Sequence, residues 1–291
     1  MSCIRCESTL WRGINSGGYL IAESLITLEP DFKFLIISPP MCRDILCIVN
    51  LTTVKRPMDH WITIETSIIP GSDIELTLSQ RNDDFAIRIA GVPGDLMNSR
   101  MHHSEDELAK FGCSRLSMIE NAQVLVGGLG MGFTLAAVLK TVGTSAKVTV
   151  AELVPAVVEW NRGALGQCAG RPIEDARTRI QLCDVADLLK LQPVKQPLAK
   201  QPDKFDAILL DVDNGPEAMT HSDNEWLYSL AGLKNIYEKL RPKGIVAIWS
   251  AKANPLFTKR LKKVGFNVEE RTVRARPGKG SRHTIFVAQK G

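Results

Sequence analysis

Between Trp61 and Gly91 apolar and polar residues alternate in three short runs, WITIETSII, DIELTLSQ and DFAIRIAG, separated by the turn clusters PGS and RNDD. A period of two puts successive side chains on opposite faces of a strand, so this stretch predicts a small antiparallel meander. A helix is expected next, with Ser104 as its cap, acidic residues in its first turn, and Leu108 and Phe111 on its apolar face.

From Asn121 the pattern changes to strands alternating with helices. AQVLVGG, KVTVAEL, RIQLCD, FDAILLD and GIVAIWS read as five strands. MGFTLAAVLKTVG, PAVVEWNRGAL, a long helix through WLYSLAGLKNIYEKL that stops at RPKG, and PLFTKRLKKVG read as the intervening helices. FNVEERTVRA and RHTIFVAQ close the chain as a hairpin. This alternation predicts an α/β fold, a Rossmann-like doubly wound and mostly parallel sheet with antiparallel pairing at one edge. The expected organisation is an N-terminal appendage of weak order over 1–57, which shows no sustained periodicity, a β-meander with its helix over 58–118, and the Rossmann-like domain over 119–291. The stretch KLQPVKQPLAKQPD, Lys190 to Asp203, carries three prolines and predicts an exposed insertion.

Composition narrows the classes. A hydrophobic content of 44% over 291 residues is that of a globular chain able to bury a sizeable core. A net charge of +4 is mild, and the one basic run, RTVRARPGKGSRH, reads as a solvated hairpin tip, so a nucleic-acid partner is not expected. The most apolar early run, Phe34 to Met41, contains Pro39 and Pro40 and is far shorter than the ~20 residues of a spanning helix, so no membrane partner is expected. Seven cysteines without a secretory pattern predict reduced thiols and a cytoplasmic location. Cys3 and Cys6 form a CxxC pair, but Cys42 and Cys47 are wrongly spaced to complete a zinc site, and no metal is expected.

The candidate chemistry sits at the strand ends. VLVGGLGMGFTL places Gly127, Gly128, Gly130 and Gly132 between the first parallel strand and its helix, where a backbone can approach a ligand closely. The dinucleotide fingerprint GxGxxG fails, since its third glycine would fall on Phe133 or Leu135, which disfavours a nicotinamide or flavin. Glu152 ends the second strand, where a carboxylate can accept both hydroxyls of a ribose. Asp184 ends the third, where it can take a hydrogen bond from the exocyclic amine of adenine, cap the following helix, or do both. Asp211 and Asp213 end the fourth. Paired carboxylates there can hold a cationic amine and remove its proton, and mutual repulsion raises one pKa into the range of a base.

VLVGGLGMGFTL, VTVAELVPAVVEWNR, QLCDVADL and FDAILLDVDNGPEA together resemble the spermidine synthase-like family of class I S-adenosylmethionine-type transferases, over about residues 61–290. The resemblance implies a class I methyltransferase-type catalytic domain preceded by a small antiparallel β-domain. It also implies S-adenosylmethionine or decarboxylated S-adenosylmethionine as co-substrate, a small-molecule acceptor with an amine as a candidate, and a homodimer. Aminopropyltransferases of the family carry an Asp inside the glycine turn, where this chain has Gly130; their Tyr-Gln-Glu segment appears as His103, Ser104 and Glu105. Their D-x-x-D-P strand end has become Asp211-Val-Asp213-Asn214. The resemblance therefore assigns Asp211 as the acceptor-side base, with Asp213, Asn214, His103 and Glu105 on the acceptor and Trp226 as a pocket wall. Retained nucleoside positions and a missing turn acid favour methyl transfer to an unidentified nucleophile. The alternatives are aminopropyl transfer to a polyamine precursor and a catalytically degenerate nucleoside-binding module.

Overall fold

The computed structural model describes residues 10–14, 20–23, 60–191, 204–212 and 225–291. The cysteines at positions 3, 6, 42 and 47, most of the expected insertion (192–203), and Asp213 and Asn214 lie outside the described residues. The chain divides into two units, 1–59 and 60–291. In the first, β1 (Leu10–Ile14) and β2 (Leu20–Glu23) pair antiparallel.

In the second unit the three alternating runs form β3 (Ile62–Ile68), β4 (Glu75–Arg81) and β5 (Asp84–Ile89), and β6 (Met97–Asn98) completes an antiparallel sheet in the order β3-β4-β5-β6. Leu76 and Leu78 on β4 and Phe85 and Ile87 on β5 point inward and are buried, as a period of two demands. Then α1 (His103–Gly112) crosses to the large sheet, burying Leu108 and Ala109. Ser104 is not its cap. His102 holds that position without a side-chain bond, and Ser104 is buried in the first turn, its hydroxyl committed to the neighbouring Glu105 side chain.

The large sheet contains β7 (Gln123–Gly127), β8 (Lys147–Glu152), β9 (Thr178–Leu182), β10 (Phe205–Leu210), β11 (Leu240–Ser250), β12 (Asn267–Arg276) and β13 (Lys279–Gln289), in the order β12-β13-β11-β10-β7-β8-β9. The strands from β11 to β9 pair parallel, whereas β13 pairs antiparallel with both β11 and β12. This is the expected doubly wound sheet with its closing hairpin. Alternation along the strands sorts the core into two layers. Val124, Val126, Ala207, Leu209 and Ala247 pack with α1, α2 (Phe133–Thr141) and α3 (Pro155–Arg162). Leu125, Ile208, Leu210, Val246 and Ile248 pack with α4 (Val185–Leu189), α6 (Leu230–Lys239) and α7 (Pro255–Val264).

Two local expectations fail. The long helix before β11 is split into α5 (Glu225–Tyr228) and α6, because Ser229 turns extended and caps α6, its hydroxyl oxygen accepting from the Gly232 N–H at 3.1 Å. The helix does stop at RPKG, with α6 ending at Lys239, but the fifth strand begins at Leu240 instead of Gly244, so RPKG lies within it. RPKG forms a bulge inside β11, with Lys243 at φ +63° and the partner of β10 jumping from Leu240 to Ile245. Among the described residues no helix is long and apolar enough to cross a membrane.

Candidate active site

Strand order reverses between β7 and β10, and in an open α/β sheet the crevice beyond such neighbouring strand ends receives the ligand. The glycine turn and Asp211 both lie there. The Asp211 N–H donates to the Gly127 carbonyl at 3.0 Å, and the Gly128 N–H to the Ala151 carbonyl at 2.8 Å. Gly128 has φ +88°, and a Cβ on it would stand 2.5 Å from the Asp211 carbonyl oxygen, so this approach admits only glycine. A residue not singled out from sequence holds the rest of the turn. Asn161 on α3 is fully buried and donates from Nδ2 to the Gly130 carbonyl at 2.8 Å and to the Val157 carbonyl at 2.9 Å. Its Oδ1 faces Gly132, where a Cβ would come within 3.0 Å.

Glu152 is buried at the end of β8. Its two carboxylate oxygens accept from the Leu129 and Val154 N–H groups, each at 2.8 Å. Burial pushes its pKa up, and those backbone donors pull it back. Asp184 caps α4, accepting from the Ala186 N–H at 2.8 Å. Both carboxylates also line a cavity of about 170 Å³ together with Gly128, Leu153 and Val185. Cap and cavity-lining positions therefore coincide at Asp184. Cys183 faces the same cavity, but burial pushes its thiol up to about 11, which keeps it protonated and removes it as a nucleophile.

A second cavity of about 180 Å³ adjoins the first and shares Ile69, Leu76, Leu96, Met97, Gly130 and Asp211 with it. Asp211 thus stands at the junction. Its Oδ2 accepts the Thr134 hydroxyl at 2.6 Å; burial raises its pKa, and the Thr134 bond opposes the rise. Glu105 lines the second cavity and accepts the Ser104 hydroxyl on Oε2 at 2.6 Å. Burial, and then the charge of Asp211, push Glu105 up to about 8. Two carboxyls in one crevice with raised pKa values can share a proton at neutral pH and pass it on.

Behind Glu105 the polar chain continues. His283 on β13 places Nδ1 3.3 Å from the Ser104 oxygen and Nε2 2.8 Å from the Ser281 hydroxyl. Since Ser104 gives its proton to Glu105, His283 must donate from Nδ1, and Nε2 accepts from Ser281. Burial holds the imidazole pKa below its usual value, which favours this neutral form. Trp249, at the C-terminal end of β11, packs edge-on against His283 at 4.6 Å and lines the second cavity; among the described residues its buried indole N–H has no acceptor.

The structure brings Gly128, Gly130, Glu152, Asp184, Glu105 and Asp211 around the paired cavities, while Gly127 ends β7 just beneath them. His103 begins α1 and lines neither cavity; its neighbour His102 instead stacks on Phe133 at 4.4 Å. Trp226 packs on the α4–α6 layer with the Lys190 ammonium 5.8 Å from its ring, and it lines neither cavity. Thr134, Trp249, Asn161 and His283 were not visible as site residues. The signals available were a hydroxyl two residues after the last glycine of the turn and a tryptophan at a parallel strand's C-terminal end.

No protein-family model matches the chain, and no curated protein matches it. Solved structures do. The spermidine synthase of Thermotoga maritima superposes with a TM-score of 0.58 at 18% identity, over 79% of this chain and 72% of that one. A spermidine synthase in complex with the transition-state analogue AdoDATO superposes with a TM-score of 0.59 at 20% identity, over 79% of this chain and 74% of that one. The chain therefore has a spermidine synthase-like fold, and at these identities the likeness is one of fold.

Proposed function

We propose that the chain is a transferase that moves an alkyl group from an adenosyl sulfonium donor to the nitrogen of an amine. The observation that carries this reading is Asp211, a carboxylate at the junction of two cavities, bonded to Thr134 and close enough to Glu105 to raise its pKa. Glu152 and Asp184 would meet the ribose and the adenine in one cavity, and the acceptor would enter the other. The donor is already activated, so the chain's own work is to align the amine, exclude water and accept a proton.

In that reaction the nitrogen lone pair forms a C–N bond as the C–S⁺ bond breaks. The sulfur leaves as a neutral thioether, and the amine proton passes to the Asp211 carboxylate. Glu105 is the adjacent acceptor for that proton, and Ser104 and His283 hold it in place.

Aminopropyl transfer from decarboxylated S-adenosylmethionine is the reading we favour, because spermidine synthases, one of them holding AdoDATO, share the fold. The sequence alone had favoured methyl transfer, and the comparisons lend that no support. One observation keeps it as a second reading: Gly130 presents no carboxylate toward a donor amine. Calorimetric titration with S-adenosylmethionine, its decarboxylated form and methylthioadenosine tests both. Preference for the decarboxylated donor supports aminopropyl transfer, and preference for S-adenosylmethionine supports methyl transfer. Affinity no better than millimolar for all three would refute the donor assignment.

A further inference from the structure

A chain of hydrogen bonds leads away from the cavity that Glu105 and Asp211 share. Glu105 Oε2 lies 2.6 Å from the Ser104 oxygen, that oxygen 3.3 Å from His283 Nδ1, and His283 Nε2 2.8 Å from the Ser281 oxygen. Burial falls along it. Ser104 is buried, His283 is half-buried, and Ser281 is exposed on β13 of the closing hairpin. One end thus faces the candidate chemistry and the other meets water. Every member, whether carboxyl, hydroxyl or neutral imidazole, can both give and take a proton.

Resting on the alkyl-transfer reading above, we propose that Ser104, His283 and Ser281 form a proton wire, through which Glu105 passes the proton displaced from the acceptor amine to solvent. With Glu105 ionised, every bond points inward: Ser281 donates to Nε2, Nδ1–H donates to Ser104, and Ser104 donates to the carboxylate. With Glu105 protonated, every bond turns outward: the carboxyl donates to Ser104, Ser104 donates to Nδ1, and Nε2–H donates to Ser281. Discharge links the two states and balances. Each group hands on one proton as it receives another, Ser281 releases one to water, and the imidazole stays neutral while its hydrogen moves from Nε2 to Nδ1. Glu105 is left as a carboxylate, ready for the proton that Asp211 takes from the next amine. The charges facing Glu105 are Asp211 and Asp106, the latter bonded to His102 at 3.0 Å. His283 meets the Trp249 edge from β11 and stands opposite Val273 on β12; farther along β12, Arg271 and Glu269 pair with each other at 2.7 Å. Burial keeps the imidazole below its usual pKa, so a swap of neutral tautomers carries the proton without an imidazolium.

The test reads the His283 tautomer by nitrogen NMR of the isotopically labelled ring in the full chain, which needs no acceptor. As pH rises from well below to well above 8, where Glu105 titrates, the ring hydrogen is expected to move from Nε2 to Nδ1 while the ring stays neutral. Glu105→Gln is expected to abolish the swap. A single tautomer throughout overturns the wire, and so does an identical swap in the folded variant. Turnover is read with decarboxylated S-adenosylmethionine and putrescine as probes. His283→Gln keeps a polar side chain but has no tautomers to exchange. Its first turnover is expected to match the wild type, while later ones slow at least about tenfold and recover on addition of imidazole buffer. Equal slowing of first and later turnovers would make His283 merely structural and overturn the wire, as would unslowed later turnovers. Methylthioadenosine titration separates the two levels. Binding without the tautomer swap defeats the wire and leaves the transferase reading standing. Absent binding, or a wild type inert toward putrescine, counts against the reading beneath it, and the NMR result then decides the wire.

Discussion

Glu105→Gln separates the electrostatic cost of the second cavity from the rest of the fold. Glu105 titrates at about 8 in the folded chain against an ordinary 4.5. Between those values the folded chain keeps a proton that the unfolded chain releases. The carboxyl's contribution to stability is therefore full below 4.5 and is lost as pH rises through 8. At 1.36 kcal/mol per pH unit that interval amounts to about 5 kcal/mol as an upper bound. Part of the side chain opens into the cavity, and solvent there should reduce the effect to roughly half of that bound. Glutamine has the same shape, is neutral throughout, and still accepts the Ser104 hydroxyl through its amide oxygen. Urea unfolding of both chains at intervals from pH 5 to 9 reads the difference. The wild type should lose about 2 kcal/mol relative to the variant across that range, so that the variant is the more stable chain at pH 9. Parallel stability curves would refute the reasoning, because they would mean that Glu105 is solvated and does not feel Asp211.

Further outcomes follow from the crevice. Asp211→Asn should lower turnover by about 10²–10⁴-fold, the usual worth of a general base, while methylthioadenosine affinity by calorimetry stays within a factor of a few; unchanged turnover would remove Asp211 from the chemistry. Gly128→Ala forces a Cβ to within 2.5 Å of the Asp211 carbonyl at a φ of +88°. It should depress the melting temperature and abolish methylthioadenosine binding, and a variant that binds normally would show that the turn can relax. Gly130→Asp meets only the flexible end of Met97, at 3.1 Å, and its φ of +51° lies where Asp is tolerated. The variant should fold and prefer the decarboxylated donor more strongly than the wild type, and an unaltered donor preference in isotope-transfer assays would strip Gly130 of that role.

What could be read from the sequence was whatever depends on near neighbours. The meander and the parallel strands follow from periods of two, and the crevice follows from acidic residues at the ends of strands that a glycine turn had already marked. Ser104 illustrates the limit of local signals. A serine ahead of an acidic first turn is a good cap by composition, yet its burial beside Glu105 gives the hydroxyl another partner. Ser229 errs in the opposite direction, since an apolar helical pattern runs on either side of a cap that only its backbone angles reveal. The apolar side of the second cavity was hidden because Ile69, Leu76 and Ile89 fall in the alternating runs and Leu96 and Met97 just after them, and nothing in their spacing says that they cover a crevice built by strands far downstream. His283 reaches Ser104 across 179 positions, and Asn161 reaches Gly130 across 31. Each is an ordinary polar residue in an amphipathic element until the fold is closed.

The bond between Gly127 and Asp211 has a consequence for how such a site can diverge. The glycine turn hangs from β7 and Asp211 from β10, two strands in direct register, so their separation is fixed by one interstrand spacing of about 4.8 Å. The facing wall belongs to a different sheet, β3 to β6, which is joined to the crevice side by packing and by a hydrogen bond from the Trp160 indole N–H to Glu65, and does not share that ladder. Substitutions along the wall can therefore reshape the second cavity while the distance from the glycine turn to Asp211 stays the same. Under the proposed transferase reading, a chain built this way can exchange one nucleophile for another without having to reinvent its reaction.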